Sequence, residues 1–167
     1  MRLNGITGAL AGFDAAREEL LRLARRRFYG VLATAATNGQ PESAPVRYAV
    51  SDAFEIVFGT LTSSRKYANL QSNAQVAFLI WDEMHSLQIE GVVDELAGSD
   101  LERLAGLFAG EFPHEARVRA GRARHRFHRI VPHWVRYTDF TEEPGRVLTI
   151  DLRSRTEVLG NWPVTSD

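Results

Sequence analysis

The stretch Gly59-Thr60-Leu61-Thr62-Ser63-Ser64-Arg65-Lys66-Tyr67-Ala68-Asn69-Leu70 joins the end of a strand to the start of a helix. Ser63 or Ser64 caps a short helix reaching about residue 72, and the residues before Leu61 have strand character. Three hydroxyl side chains and two adjacent cations lie at the junction. Phosphate recognition uses these parts together, because the first N–H groups of a helix lack intrahelical acceptors and sit at the positive end of its dipole. Ser and Thr hydroxyls add neutral donors. The Arg65 guanidinium can grip two oxygens at once, while the Lys66 ammonium is a compact point charge. A plain helix N-cap followed by solvated basic residues is the competing reading. Cations in a first turn oppose the dipole, however, and a bound anion would account for them. Lys66 is also the only lysine among the 20 basic residues.

Working outward, residues 42–50 and 54–60 read as strands joined by a tight Ser51-Asp52-Ala53 turn. Residues 29–36 form an earlier strand, and Thr37-Asn38-Gly39-Gln40 is a hairpin turn because Asn-Gly tolerates positive φ. Residues 13–28 are helical: Asp14 can cap the start, Leu20, Leu21, Leu23 and Ala24 recur at helical spacing, and Arg25, Arg26 and Arg27 load the last turn. Toward the C-terminus, residues 75–81 and 86–95 read as strands. A helix capped by Ser99 follows, with Leu101, Leu104, Ala105 and Phe108 on one face. Two or three closing strands lie near 127–131, 134–140 and 147–152. Consecutive strands with short turns and few helices predict a mainly β fold with peripheral α, an antiparallel sheet closed into a barrel. A doubly wound parallel sheet would need a crossover helix between successive strands, and the pattern lacks them. The reading is of one domain, 1–167, whose N-terminal helical segment 1–28 packs on the barrel.

Composition sets the outer bounds. The 167 residues fit one domain with a core of its own, and 44% hydrophobic with 25% charged residues is ordinary for a globular protein. A net charge of −1 supplies no whole-protein field toward nucleic acid or an anionic membrane. With Cys 0, disulfides, thiolate nucleophiles and CxxC metal sites are excluded. No apolar run approaches the roughly 20 residues of a membrane span, and residues 1–13 lack a signal-peptide pattern, so a cytoplasmic location is expected.

The order of segments carries a resemblance. Asn38-Gly39-Gln40-Pro41, Ala44-Pro45-Val46-Arg47-Tyr48, residues 57–70, residues 73–80 and Ser86-Leu87-Gln88-Ile89-Glu90-Gly91 follow one another at intervals that resemble the pyridoxamine 5′-phosphate oxidase-like FMN-binding split barrels. The likeness runs from about residue 28 to 96, and residues 132–140 resemble the family's closing strands. It implies an antiparallel split β-barrel and a homodimer with FMN at the subunit interface. Position by position, Thr60, Ser64, Arg65 and Lys66 match the phosphate-binding segment. Pro45, Val46, Arg47 and Tyr48 fall on the strand that lies along the isoalloxazine ring and meets it largely through backbone groups. Ser86 and Gln88 fall near the position from which the partner subunit offers a Gln side chain to the flavin. The terminal Arg-x-His segment that grips substrate phosphate in true pyridoxamine phosphate oxidases is missing from Gly160-Asn161-Trp162-Pro163-Val164-Thr165-Ser166-Asp167. The resemblance therefore implies a flavoprotein oxidoreductase acting on a small molecule it does not identify. Deazaflavin F420-dependent reductases and haem-associated proteins share the fold, so a reductase using that cofactor, or a non-catalytic flavin or haem binder, stands as the alternative. No catalytic side chain can be named, and a flavin enzyme need not have one.

Residues 117–129 hold six Arg and no acid. They can be read as a patch for an anionic cofactor tail or as a solvated face offset by Asp94, Glu95, Asp100 and Glu102, and the second is favoured. His125 and His128 would point to opposite sides of a strand, so no metal site is expected and surface or lightly buried placement is the default. Trp134, next to Tyr137, is a candidate to flank a flavin across the dimer interface, with packing as its commoner role.

Overall fold

The structure is a computed structural model that describes residues 12–115, 124–141 and 143–162. Its elements are α1 (Phe13–Ala24), β1 (Tyr29–Ala35), β2 (Pro41–Val50), β3 (Ile56–Leu61), α2 (Arg65–Ser72), β4 (Gln75–Trp81), β5 (His85–Glu95), α3 (Gly98–Glu111), β6 (His125–Asp139), β7 (Gly145–Asp151) and β8 (Thr156–Trp162). All neighbours pair antiparallel in the order β3-β2-β1-β4-β5-β6-β7-β8, and β3 also pairs β6. Six strands, β3-β2-β1-β4-β5-β6, therefore close a barrel, and β7 and β8 extend the sheet from β6. The predicted split-barrel class is the observed one.

β6 makes closure possible. Its first half, from His125 to Ile130, pairs β3, while Trp134 to Asp139 pairs β7, and β5 runs along both halves. Sequence reading expected two strands here. The chain instead carries a bulge: Glu90 pairs Trp134 but Gly91 pairs Pro132, leaving His133 extra. A Cβ on Gly91 would sit 2.6 Å from Ile130 Cγ2 and 2.7 Å from the Val131 carbonyl oxygen, so only glycine fits opposite the bulge. β8 was not anticipated as a separate strand.

The barrel core holds Leu32, Val46, Tyr48, Phe58, Phe78, Ile89, Val135 and Ile150, closed at one end by Ala16, Leu20, Leu21 and Ala24 of α1. α3 packs Leu104 and Phe108 outside the barrel against Ala49, Val57 and Phe127. Three helix details differ from expectation. Gly12, not Asp14, precedes α1, and Asp14 instead pairs Arg155 at 2.7 Å. Arg25, Arg26 and Arg27 lie beyond α1; Arg25 ties it to the Val50 carbonyl at 3.2 Å, and Arg27 reaches Asp82 at 2.7 Å. Ala97 is the N-cap of α3 rather than Ser99, and Leu101 is exposed. Among the described residues no helix is long and apolar enough to cross a membrane.

Candidate functional site

β2 and β3 pair only over Tyr48–Val50 and Ile56–Phe58; beyond that the two strands part, and Gly59–Leu61 bond β6 instead. The parting opens a cleft of about 550 Å³ lined by Tyr29, Pro45, Val46, Arg47, Gly59, Thr60, Leu61, Ser64, Lys66, His114, Glu115 and His125. Alternation along β2 decides what faces it. Val46, Tyr48 and Val50 are buried in the core, whereas Pro45 and Arg47 point outward. The Tyr48 N–H bonds the Phe28 carbonyl on the β1 side at 3.3 Å. By the same alternation, the backbone groups of Arg47 and the Pro45 carbonyl face the parted side.

The junction folds as its residues require. The Ser64 N–H returns to the Leu61 carbonyl at 3.0 Å, tightening the turn out of β3. Ser64 caps α2: its hydroxyl accepts from the Tyr67 N–H at 3.3 Å and donates to the Leu61 carbonyl at 2.7 Å. Thr60, almost fully buried, lies 3.0 Å from Ser64 and donates to it, because the Ser64 proton is already committed. The first-turn amides of α2 have no intrahelical acceptors. Lys66 is half-buried in the cleft wall and has no carboxylate partner among the described residues. Arg65 turns away: its Nε donates to Glu42 at 3.0 Å, and Glu42 also accepts from Asn69 at 3.2 Å.

Opposite the α2 end, Arg47 is held by three groups. It pairs with Glu115 at 2.7 Å, donates to the Tyr29 hydroxyl at 2.9 Å and lies 4.6 Å from the Tyr29 ring centre. The cleft is thus cationic at the helix end and bordered by a clamped guanidinium beside a carboxylate. His114, Glu115, His125 and Tyr29 were not foreseen. They reach the cleft from elements distant in sequence, and only the β3–β6 register, Leu61 against His125, brings His125 there.

Of the expected site residues, Pro45, Val46, Arg47, Thr60, Ser64 and Lys66 come together. Tyr48 does not reach the cleft, since its hydroxyl donates to the Ala24 carbonyl at 2.7 Å inside the core. Ser86 lines a separate cavity with Trp81, His85 and Tyr137. Gln88 and Trp134 share a third hollow with Val31, Ala77, Leu79 and Arg136, whose guanidinium lies 4.9 Å from the Trp134 ring.

The expectation of a surface or lightly buried histidine fails at His128. It is 1% exposed, stacked on Phe58 with ring centres 5.4 Å apart, and burial pushes its pKa down. Within the described part of the basic stretch, Arg126 pairs with Glu95 at 3.2 Å, and Arg129 with Asp94, Asp100 and Glu55 at 3.0 Å each. Residues 117–123 lie outside the described residues.

Comparison with known proteins agrees with this fold. Among solved structures of similar fold is a pyridoxamine 5′-phosphate oxidase-related, FMN-binding protein of Nostoc punctiforme, with TM-score 0.70, 16% identity and coverage of 95% of this chain and 100% of that one. PhzG of Burkholderia lata matches with TM-score 0.68 and 17% identity over 96% of each chain. A haem-binding protein of Mycobacterium smegmatis matches with TM-score 0.73 and 16% identity over 84% of this chain, which spans 59% of that one. At these identities the likeness is one of fold. No curated protein matches by sequence. The sequence profile described as Pyridoxamine 5′-phosphate oxidase matches residues 16–139, most of the chain. The parted β2–β3 barrel, with its hydroxyl and cationic helix start, thus belongs to a member of the pyridoxamine 5′-phosphate oxidase family.

Proposed function

We propose that the chain is a cytoplasmic FMN-binding oxidoreductase that works as a homodimer on a small molecule. The observation that carries this is the meeting of Thr60, Ser64 and Lys66 at the amino end of α2 with the outward edge of β2 in one cleft. The donor set fits a flavin mononucleotide. The Arg65 and Lys66 amides at the start of α2 and the Lys66 ammonium supply N–H donors to a phosphate dianion, and among the described residues no acid pairs with Lys66. Thr60 and Ser64 shape that end of the cleft, and the Arg47 and Pro45 backbone offers a donor and acceptors to a polar ring edge. A cleft of about 550 Å³ lies within the usual range for small-molecule and cofactor sites. FMN when bound supplies hydride transfer, and the protein's part is to orient it and exclude water. In this reading Gln88 and Trp134, on a hollow of their own, are presented to the partner subunit's flavin.

Haem in the same cleft is the second reading. His114 and His125 line the cleft, and imidazole is a common axial ligand. A deazaflavin with an anionic tail would have to use the rest of the basic stretch, because Arg126 and Arg129 already face carboxylates. The test is an absorbance spectrum of freshly purified protein with mass spectrometry of what heat releases. A two-band flavin spectrum releasing FMN supports the first reading; a Soret band contradicts it and supports the second.

A further inference from the structure

A second cavity, of about 330 Å³, lies at the opposite end of β4 from α2, between the end of α1 and the β4–β5 hairpin. Leu23, Ile80, Trp81 and Leu87 give it an apolar wall, and Arg26, Arg27, Asp82, His85, Ser86 and Tyr137 supply the polar groups. None of its residues lines the cleft at α2.

The acid in this cavity is bonded through both oxygens. Asp82 Oδ1 accepts from the Met84 N–H at 3.0 Å, the His85 N–H at 2.9 Å and His85 Nδ1 at 2.8 Å, and Oδ2 takes Arg27 at 2.7 Å. Burial acts to raise its pKa, but the bond from Arg27 and then those from Met84 and His85 outweigh it and hold the carboxyl well below the usual carboxylate range, so it stays ionised. The His85 ring is fixed as well, between Asp82 and Asp139, the latter 3.7 Å from Nε2.

Tyr137, Arg26 and the Ser86 hydroxyl have no side-chain hydrogen bond or ion pair among the described residues. Tyr137 is 2% exposed and its hydroxyl has no hydrogen-bond partner among the described residues, an arrangement uncommon for a buried polar group. Burial and neighbouring carboxylates push its pKa up, so it stays an O–H donor, and the charge of Arg26 acts on it in the opposite sense. Arg26 is exposed, lines the cavity from its solvent side and forms no ion pair among the described residues. One buried donor and one unpaired cation on an apolar wall call for an anion that carries an apolar body.

We infer that this cavity binds a small carboxylic acid: Arg26 pairs with the carboxylate, Tyr137 donates its O–H to it, and Leu23, Ile80, Trp81 and Leu87 hold the apolar body. The inference stands apart from the flavin reading, since it uses none of the same residues.

Isothermal titration of the full chain with benzoate, phenylacetate and cyclohexanecarboxylate tests it, with benzyl alcohol as the uncharged control. At least one acid binds saturably, one per chain, and benzyl alcohol binds at least about tenfold more weakly. Tyr137→Phe and Arg26→Gln each weaken the acid about tenfold. Tyr137→Phe keeps the ring and removes a hydroxyl with no protein partner, so its thermal unfolding midpoint does not fall. A loss of binding without a loss of stability separates a ligand contact from a structural one. No saturable binding of any of the three acids, or unchanged affinity in both variants, overturns the inference. FMN titration of the same variants is unaffected, so a failure here and a failure of the flavin reading are told apart.

Discussion

Lys66 and Arg65 are neighbours in sequence with different tasks. Arg65 is held by Glu42, which also accepts from Asn69, and does not line the cleft, while Lys66 does. Lys66→Ala is therefore expected to weaken FMN binding by about tenfold or more, the worth of one charge-assisted hydrogen bond, and Arg65→Ala by much less. Flavin fluorescence quenching measures both; equal losses would contradict the division of labour. Tyr48 belongs to the core, and Tyr48→Phe, which strands the Ala24 carbonyl, should cost about 1 kcal/mol in urea unfolding with little effect on the cofactor. The residues of the 59–70 stretch were legible because one turn of chain brings them together. The direction of Arg65 was not, because Glu42 lies on another strand. Tyr48 was misplaced for a different reason: the resemblance marked its strand, but the two-residue alternation decides its side.

Elements explain what a local pattern leaves out. The hairpin at Asn38-Gly39, the strand at 75–81 and the helix after Ser64 were readable because turn chemistry and alternation are local. β6 was read as two strands because Pro132 interrupts the pattern, yet the chain absorbs it in a bulge opposite Gly91. Gly91→Ala is expected to destabilise by about 1–3 kcal/mol, through contact with the Val131 backbone, which cannot retreat as a side chain would. α3 is fastened to the barrel by charge as well as by Leu104 and Phe108. Glu55 accepts from Arg103 at 2.9 Å, from Arg129 at 3.0 Å and from Ser51 at 2.8 Å. These bonds, the one from Arg103 first, lower its pKa from 4.5 to about 2. A lowered folded-state pKa adds stability that is complete above the unfolded value and is lost as pH falls from about 4.5 to about 2. The stability gap between the wild type and Glu55→Gln should then be widest at neutral pH and close across that window. Urea midpoints measured at several pH values check it, and a gap independent of pH would contradict it.

At the scale of the whole molecule, the barrel turns three surfaces outward: the α2 cleft, the cavity beneath α1, and the hollow with Gln88 and Trp134. Apolar Val31, Ala33, Ala77 and Leu79 line that last hollow, and a second copy of the chain is the occupant the flavin reading requires. Light scattering is expected to return a dimer, and Ala77→Arg, on this face, to shift it toward monomer and lower FMN affinity together. The barrel was legible as a sequence of short strands, but its use of separate faces was not, since β-strand register across the closed sheet decides which residues meet. The most direct test of the central claim is titration of FMN into the wild type and Lys66→Ala, followed by calorimetry. Saturable binding of one FMN per chain that weakens by about tenfold or more in the variant is the predicted result. No binding to the wild type, or the same affinity in both proteins, would contradict the phosphate site at the start of α2.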